Sequence, residues 1–484
     1  MRHARHDQEQ SQGGKGWVVA EGGGLGSTPE NRAALMARIV ELARNAAGNE
    51  KPRVIILGAT RLEEVDERRA ELIAAGAEAE NLDTPDDVDP HDPAIVAKVA
   101  AAHAIFMRGG DQSRYVLRWR GGALEGAIRS VFEKGGVVGG TSAGCAVLGE
   151  WTYDSNKGSL SATEALADGR HEELTLTHGF FGFVPGVLFD THFTERGRVA
   201  RLAVMLGEVR ERREAARTAS NSDPDSDDAQ DVLGIGVDPE TAVIVGPDGV
   251  AEVFGIHSAT LLRLSATSVV ERGPSPTPPT LTNIRYSQLL PGTRFDATSG
   301  EVLTRPDSVH PNPHPDAIAD SAFEAMTLDG NDAALSRLGL LRFVREAPVP
   351  PPNGGSTPDG RPTFISGEGK LPGVLVSGRT FAGDDTWEVL ASTQRSIASQ
   401  PSVIALWLDD GCRVSVGERG EVLVSPDSTS SLVVLDGTGV RFVGVLAFEN
   451  FRGPAHIEGA TLHVLGRGMT FEMGTRPIRV RRRD

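Results

Sequence analysis

Along the first third of the chain, short apolar runs alternate with stretches whose apolar residues recur at helical spacing. The run 17–20 enters the turn Gly22-Gly23-Gly24, and a helical pattern over 31–46 follows Pro29, a pattern of strand, glycine turn and helix. The runs 54–57, 104–107 and 137–138 repeat the strand signal, and 64–75, 94–102 and 113–133 the helical one. Strands of this kind carry no polar face, so helices must cover both sides of their sheet. That predicts an α/β fold with a mostly parallel sheet flanked by helices. Ligands of such sheets bind beyond the carboxyl ends of the strands. The glycine turns at 22–24, 109–110 and 139–140 all fall at that edge.

Beyond residue 180 the pattern turns β-rich, and three stretches interrupt it. Residues 208–231 are charged and rich in Ser, Asp and Ala; they offer little to bury, which predicts a mobile polar insertion lengthening a helix or loop. Residues 273–279 read as a proline-rich loop, and 348–360 as a proline-rich linker. An internal repeat spans that linker. Val184-Pro185-Gly186-Val187-Leu188 recurs as Leu371-Pro372-Gly373-Val374-Leu375, and LLPGTRFD at 289–296 recurs as LGRGMTFE at 465–472. The expected organisation is a disordered leader over 1–15, a main domain over 16–304, a linker region over 305–364, and a degenerate repeat of the main domain's last part over 365–484. The repeat has Ser377-Gly378-Arg379-Thr380 where the main domain has Asp190-Thr191-His192-Phe193. It is therefore expected to be noncatalytic.

Composition narrows the function classes. Hydrophobic residues are 39% and charged residues 24% of the 484 positions, the balance of a globular protein. No apolar run reaches the roughly 18 residues that span a bilayer. With 49 Lys+Arg against 66 Asp+Glu, the net charge of -17 repels phosphate backbones, so neither a nucleic-acid nor a membrane partner is expected. Cys145 and Cys412 give no disulfide framework and no zinc quartet, and residues 1–15 lack the apolar core of a secretory signal. Both features predict a cytoplasmic protein. Without an H-E-x-x-H motif or a carboxylate-histidine cluster, no metal or cofactor is expected.

The candidate chemistry centres on Gly140-Thr141-Ser142-Ala143-Gly144, a G-x-S-x-G turn between a strand and a helical pattern. Such a turn lifts a serine hydroxyl out of a sheet edge, and the small flanking residues permit the tight reversal. The Ala143 N–H is then placed to donate to an oxyanion. Gly110 supplies a second such donor, and Gln112 an amide for a substrate. Cys145 is a competing nucleophile, but it lies inside the helix that follows and is expected to be buried. A serine nucleophile needs a base. His192 is the candidate, because it follows the apolar run 184–189 and so sits at a strand end like Ser142. Arg196, Arg198 and Arg201 follow it and Asp190 precedes it; three guanidinium groups so close together predict a carboxylate-bearing substrate. Either Asp238 or Glu240, in the turn of Val237-Asp238-Pro239-Glu240-Thr241, is expected to orient the imidazole.

Taken together, GGDQ at 109–112, GGTSAG at 139–144, DTHFTERGRVARL at 190–202 and GIGVDPETA at 234–242 resemble the cyanophycinase branch of the S51 family of serine peptidases, over roughly residues 16–304. The resemblance implies a glutamine-amidotransferase-like (flavodoxin-like) α/β fold, no metal, and cleavage of aspartyl or β-aspartyl peptides. Cyanophycin, multi-L-arginyl-poly-L-aspartate, is the substrate of that branch, and β-Asp-Arg dipeptides are its product. The resemblance also allows a homodimer. It makes Ser142 the nucleophile and His192 the base, and it places Gln112, Asp190, Arg196, Arg198 and Arg201 around the substrate. Two departures stand out. Thr191 replaces a glutamine of the family, removing a substrate-binding amide. Pro239 occupies the family's usual triad-glutamate position, which shifts that role to Glu240. An aspartyl or isoaspartyl dipeptidase and a catalytically lapsed peptide binder are the alternative readings.

Overall fold

Buried aliphatic strands form the centre of the computed structural model, which describes residues 16–24, 28–62, 66–220, 232–312, 326–329, 341–343, 374–377, 381, 386–399, 403–417, 420–445, 455–473 and 478–483. The leader at 1–15, the end of the expected insertion at 221–231 and most of the 305–364 linker region lie outside the described residues. Strands β1 (Trp17–Glu21), β2 (Arg53–Gly58), β3 (Glu78–Asp83), β4 (Ala104–Met107) and β5 (Val137–Thr141) are parallel, in the order β1-β5-β4-β2-β3. The expected glycine turns at 22–24 and 109–110 lie at their carboxyl ends, whereas Gly139 and Gly140 are part of β5 itself and the turn follows at Ser142. Strands β6 (Gly149–Tyr153), β7 (Leu176–His178), β8 (Val184–Asp190) and β9 (Leu233–Val237) begin a second sheet, in which β8 runs parallel to β6 and β9.

The hairpin of β10 (Thr241–Val245) and β11 (Val250–Gly255) returns to the first sheet, where β10 pairs antiparallel with β1. Strands β12 (Ala259–Arg263), β13 (Val270–Glu271) and β14 (Thr280–Leu289) extend the second sheet, and β15 (Arg294–Asp296) and β16 (Val302–Thr304) the first. The first sheet is therefore mixed, whereas the sequence predicts a mostly parallel one: five parallel strands are continued beyond β1 by four antiparallel ones. The short turn at Gly246-Pro247-Asp248-Gly249 explains this, since so brief a connection can join only antiparallel neighbours.

The β-rich C-terminal region comprises β17 (Val309–Pro311), β18 (Met326–Asp329), β19 (Leu341–Phe343), β20 (Val374–Ser377), β21 (Ile404–Trp407), β22 (Arg413–Val416), β23 (Glu421–Val424), β24 (Leu432–Asp436), β25 (Phe442–Val445), β26 (Ala455–Leu465), β27 (Met469–Glu472) and β28 (Arg481–Arg482). The second sheet runs β19-β20-β21-β24-β26-β14-β12-β9-β8-β6-β7, so it joins this region to the N-terminal part. A third sheet runs β18-β22-β23-β27-β28.

Three local differences from the sequence reading have physical causes. The expected helix 113–133 is two helices, Gln112–Trp119 and Ala123–Glu133, broken at Gly121 with φ 74°. Strand β3 carries no apolar run because it is the half-exposed edge of its sheet. The charged stretch from Glu208 lengthens helix Val199–Ser220, one of its two expected forms, but over 208–220 it is a regular helix tied to its neighbours and not a mobile insertion. Ion pairs explain that order: Glu208 meets Arg212 at 2.5 Å and the buried Arg272 at 2.5 Å, and Glu211 meets Arg170 at 2.6 Å.

Packing also fixes the Gly109-Gly110 turn. Tyr115 and Trp119 stack with ring centroids 4.4 Å apart, and the Tyr115 hydroxyl donates to the Arg108 carbonyl at 2.7 Å. Tyr115→Phe strands that buried carbonyl and should cost about 1–3 kcal/mol. A urea denaturation midpoint equal to wild type would show that the bond does not hold the turn.

Candidate active site

Strand β5 ends at Thr141, and the chain reverses at Ser142, which has φ 50°. A serine in this region is strained, and the surroundings hold it there. Its N–H donates to the Glu21 carbonyl at 3.0 Å, and its carbonyl accepts from Cys145 N and Ala146 N at 3.0 Å each. A Cβ on Gly140 would fall 2.6 Å from the Gly144 carbonyl carbon, so the turn closes only around glycine. From the other sheet, β8 ends at Asp190, and His192 follows two residues later with φ 46° and its N–H on the Gly22 carbonyl at 2.8 Å. The imidazole lies on the bare backbone of Gly23, where a Cβ would meet Nε2 at 2.4 Å.

These two strand ends bring the expected pair together. His192 Nε2 is 3.0 Å from Ser142 Oγ, and His192 Nδ1 is 2.8 Å from Glu195 Oε2. With the proton on Nδ1, the ring donates to Glu195 and accepts from the serine. The partner of the imidazole is thus Glu195, and neither Glu240 nor Asp238 takes the expected place. Glu240 is tied by its backbone, its N–H to Gly23 at 2.9 Å and its carbonyl to Asn31 Nδ2 at 2.8 Å. Asp238 accepts from Thr194 N at 2.8 Å and from Ser258 Oγ at 2.6 Å. It therefore anchors the residue just before Glu195. Residues 192–196 form one turn, closed by Arg196 N on the His192 carbonyl at 3.0 Å, which puts positions three apart on one side. An H-x-x-E spacing was the available signal, hidden in a run that reads as a charged loop.

A cavity of about 320 Å³ opens beside Ser142 and is lined by Gly110, Gln112, Ala143, Asp190, Thr191 and the three arginines, among others. Both expected oxyanion donors, Gly110 and Ala143, thus border the same space as the hydroxyl. Gln112 Nε2 donates to the Tyr153 carbonyl at 3.2 Å. Arg201 forks onto Asp190, Nε to Oδ2 at 2.9 Å and Nη2 to Oδ1 at 2.5 Å, and lies 4.9 Å over the Tyr153 ring. Arg198 Nη1 reaches the Thr191 carbonyl at 2.7 Å and its hydroxyl at 3.3 Å, and lies 3.6 Å from Asp190. Arg196 is exposed on the cavity wall. A second, more open space of about 740 Å³ lies on the other side of the serine, lined by Gly23, Asp66, Arg68, Arg108 and His192. Ser142 and Gly110 border both.

The charges of the smaller cavity are set by burial. Burial alone would raise the Asp190 carboxyl, but Arg201, with Arg198 and the Thr191 N–H, outweighs it and holds the group below the usual aspartate value. Burial and the neighbouring Arg201 charge push Arg198 down to about 9, so it stays cationic at neutral pH. One buried carboxylate faces two buried guanidinium groups, which leaves a net positive site suited to an anion. Burial, reinforced by the Glu21 and Asp190 carboxylates, raises the Cys145 thiol well above its usual value, so no thiolate competes with the serine. Among the described residues, no group of three or more His, Cys, Asp and Glu is placed to hold a metal ion.

Comparison with known proteins identifies the family. Residues 33–227 match Peptidase family S51. A cyanophycinase of Synechococcus elongatus is 32% identical over 178 residues, 37% of this chain and 47% of the relative. A cyanophycinase of Geminocystis herdmanii (strain PCC 6308) is 31% identical over 218 residues, 44% of this chain and 70% of the relative. The match thus spans about half the length of the first of these relatives. A solved peptidase from an acI-B1 actinobacterium aligns over 59% of this chain and 98% of its own at 17% identity, with a TM-score of 0.38.

Two outcomes are expected of this site. Glu195→Gln should lower kcat about 10- to 1,000-fold by losing the charge that orients the imidazole, whereas Glu240→Gln should change it less than about 3-fold; the reverse ranking would return the role to Glu240. Because the Asp190 pKa is lowered in the folded protein, its contribution to stability is present above the unfolded aspartate value and lost as pH falls through the folded one. Acid unfolding should therefore lose steepness below about pH 4 in Asp190→Asn. Parallel acid limbs in the two proteins would contradict the pairing.

Proposed function

Since the chain belongs to peptidase family S51, we propose that it is a serine exopeptidase releasing β-Asp-Arg dipeptides from cyanophycin through an acyl-enzyme on Ser142. The contact that carries this reading is His192 Nε2 at 3.0 Å from Ser142 Oγ, beside the net-positive cavity. In the proposed reaction His192 takes the serine proton as Oγ attacks the scissile carbonyl, and Glu195 steadies the imidazolium. Gly110 N–H and Ala143 N–H hold the oxyanion. His192 returns the proton to the leaving amine, and water then releases the acyl group by the same steps in reverse.

Substrate assignment follows from charge and shape. An aspartyl carboxylate in the smaller cavity compensates the excess guanidinium charge of Arg196, Arg198 and Arg201. The larger space across the serine accommodates the chain on the other side of the scissile bond. The parallel strands with the serine turn at their carboxyl edge support a glutamine-amidotransferase-like, flavodoxin-like arrangement for this part. A cytoplasmic location belongs to the same reading and is supported by two buried cysteines, Cys145 and Cys412, that are not joined in a disulfide. No helix among the described residues is long and apolar enough to cross a membrane.

A second substrate class is favoured by one observation. Thr191 gives its hydroxyl and carbonyl to Arg198, so this position offers the substrate no amide, as a dipeptidase acting on short aspartyl or isoaspartyl peptides would tolerate. Purified protein incubated with cyanophycin should yield soluble β-Asp-Arg by mass, and Ser142→Ala and His192→Ala should each lose at least about 10,000-fold in kcat. Turnover of Asp-X or β-Asp-X dipeptides with cyanophycin untouched would favour the dipeptidase. Wild-type rates in either variant would refute the assignment of these catalytic residues, and no adduct with a serine-directed phosphonate would favour a binding protein.

A further inference from the structure

The strand ladders of the C-terminal region repeat those of 184–304 pair by pair. β8 and β9 are parallel and joined through helix Val199–Ser220; β20 and β21 are parallel and joined through helix Thr386–Ser399. β9 pairs antiparallel with β12 and β12 with β14, as β21 pairs with β24 and β24 with β26. Hairpin β10-β11 bonds to β15 as hairpin β22-β23 bonds to β27, and β13 lies on β14 as β25 lies on β26. Registers convert this into residue correspondences. Asp190 faces Gly236 as Ser377 faces Trp407, and Leu289 faces Ala259 as Leu465 faces Leu432. Both offsets equal those of the short sequence repeats at 184–188 and 289–296. A loop anchor recurs as well: Asp238 Oδ1 accepts from Thr194 N at 2.8 Å, and Asp409 Oδ1 accepts from Phe381 N at 3.4 Å.

The two sets meet where β14 pairs antiparallel with β26, its own counterpart. An element paired antiparallel with its equivalent is the isologous contact of a two-fold dimer. We infer that residues 374–472 are a second, chemically empty copy of 184–296 that docks where a second chain would, and that its Gln394 is a positioning residue for the catalytic loop.

The link from Gln394 to that loop is continuous and buried. Gln288 Nε2 donates to Gln394 Oε1 at 3.1 Å and to Ser258 Oγ at 2.7 Å; Ser258 Oγ donates to Asp238 Oδ2 at 2.6 Å; Asp238 Oδ1 accepts from Thr194 N. Gln394 Nε2 in turn donates to the Tyr286 hydroxyl at 2.9 Å. None of these residues is more than 5% exposed, so the network is costly to break and stiff while whole. It ends one residue before Glu195. Apolar contacts support the same corner: a Cβ on Gly197 would lie 2.7 Å from Thr386 Cγ2 and 3.0 Å from Phe381 Cδ1, and the Trp387 ring stands edge-on to His257 at 5.0 Å.

This inference rests on the reading of the 192–198 loop as catalytic, and its test separates the two. The full chain should sediment with the mass of one chain at micromolar concentration, and a two-chain mass would overturn the docking claim whatever the activity. On cyanophycin, Gln394→Met should lower kcat per phosphonate-titrated site about 10-fold with KM within about 3-fold, while Gln394→Glu, which keeps the acceptor for Gln288, should retain most of kcat. Gln394→Asn, too short to reach, should match the Met variant and replaces it if that protein does not fold. A merely structural role would lower melting temperature and titratable sites without changing kcat per site, and that result would overturn the positioning role. Full activity in Ser142→Ala would instead remove the catalytic reading and leave the copy and its docking standing.

Discussion

Asp190 is the last residue of β8 and is buried, so the protein tolerates its charge only because Arg201 forks onto it. Desolvating a carboxylate costs several kcal/mol unless the partner geometry is good. That requirement fixes where helix Val199–Ser220 can begin relative to the strand, and hence the length and path of the loop between them. His192 and Glu195 lie inside that loop. Asp238 holds its middle through Thr194, and the Gly22-Gly23 backbone receives His192. The Ser142–His192 contact is thus a consequence of an ion pair two residues away, and the same pair leaves Arg198 only partly compensated for an incoming anion.

The parts of this site legible in the sequence are those with a local cause. A serine between Gly140, Ala143 and Gly144 at the end of an apolar run reads as an exposed hydroxyl without knowledge of the fold, and so does a histidine just past another run. The arginine cluster reads as an anion site from charge alone. The acid partner was not legible in that way. Glu195 faces His192 because residues 192–196 close a turn, a backbone fact with no apolar pattern behind it. Glu240 sits in an acidic turn between two apolar runs, but its backbone bonds to Gly23 and Asn31 fix that turn, and the carboxylate on the ring is that of Glu195. Similarly, the order of the charged helix beyond Glu208 depends on Arg170, Arg212 and Arg272, two of them distant in sequence.

Comparison of the two copies separates scaffold from chemistry. The second copy keeps the ladders, the central antiparallel pairing and the aspartate that anchors the loop, now Asp409. At the same offset as the 184–188 repeat, Ser377 replaces Asp190, Asp385 replaces Arg198 and Glu388 replaces Arg201. In sequence the ion cluster is gone as a unit: Ser377 offers no carboxylate at the strand end, and the two positions matching Arg198 and Arg201 are acidic. Losing either partner alone would have stranded a charge in the interior. Arg379 and Ala382 stand where His192 and Glu195 stood, so the chemistry left together with the electrostatic frame that positioned it. What persists is what two-fold docking needs: β26 as an edge for β14, and a helix carrying Gln394 to reach the first copy. A fold element freed from catalysis in this way is held by its interface, and here the hydrogen-bond chain from that interface ends one residue before Glu195.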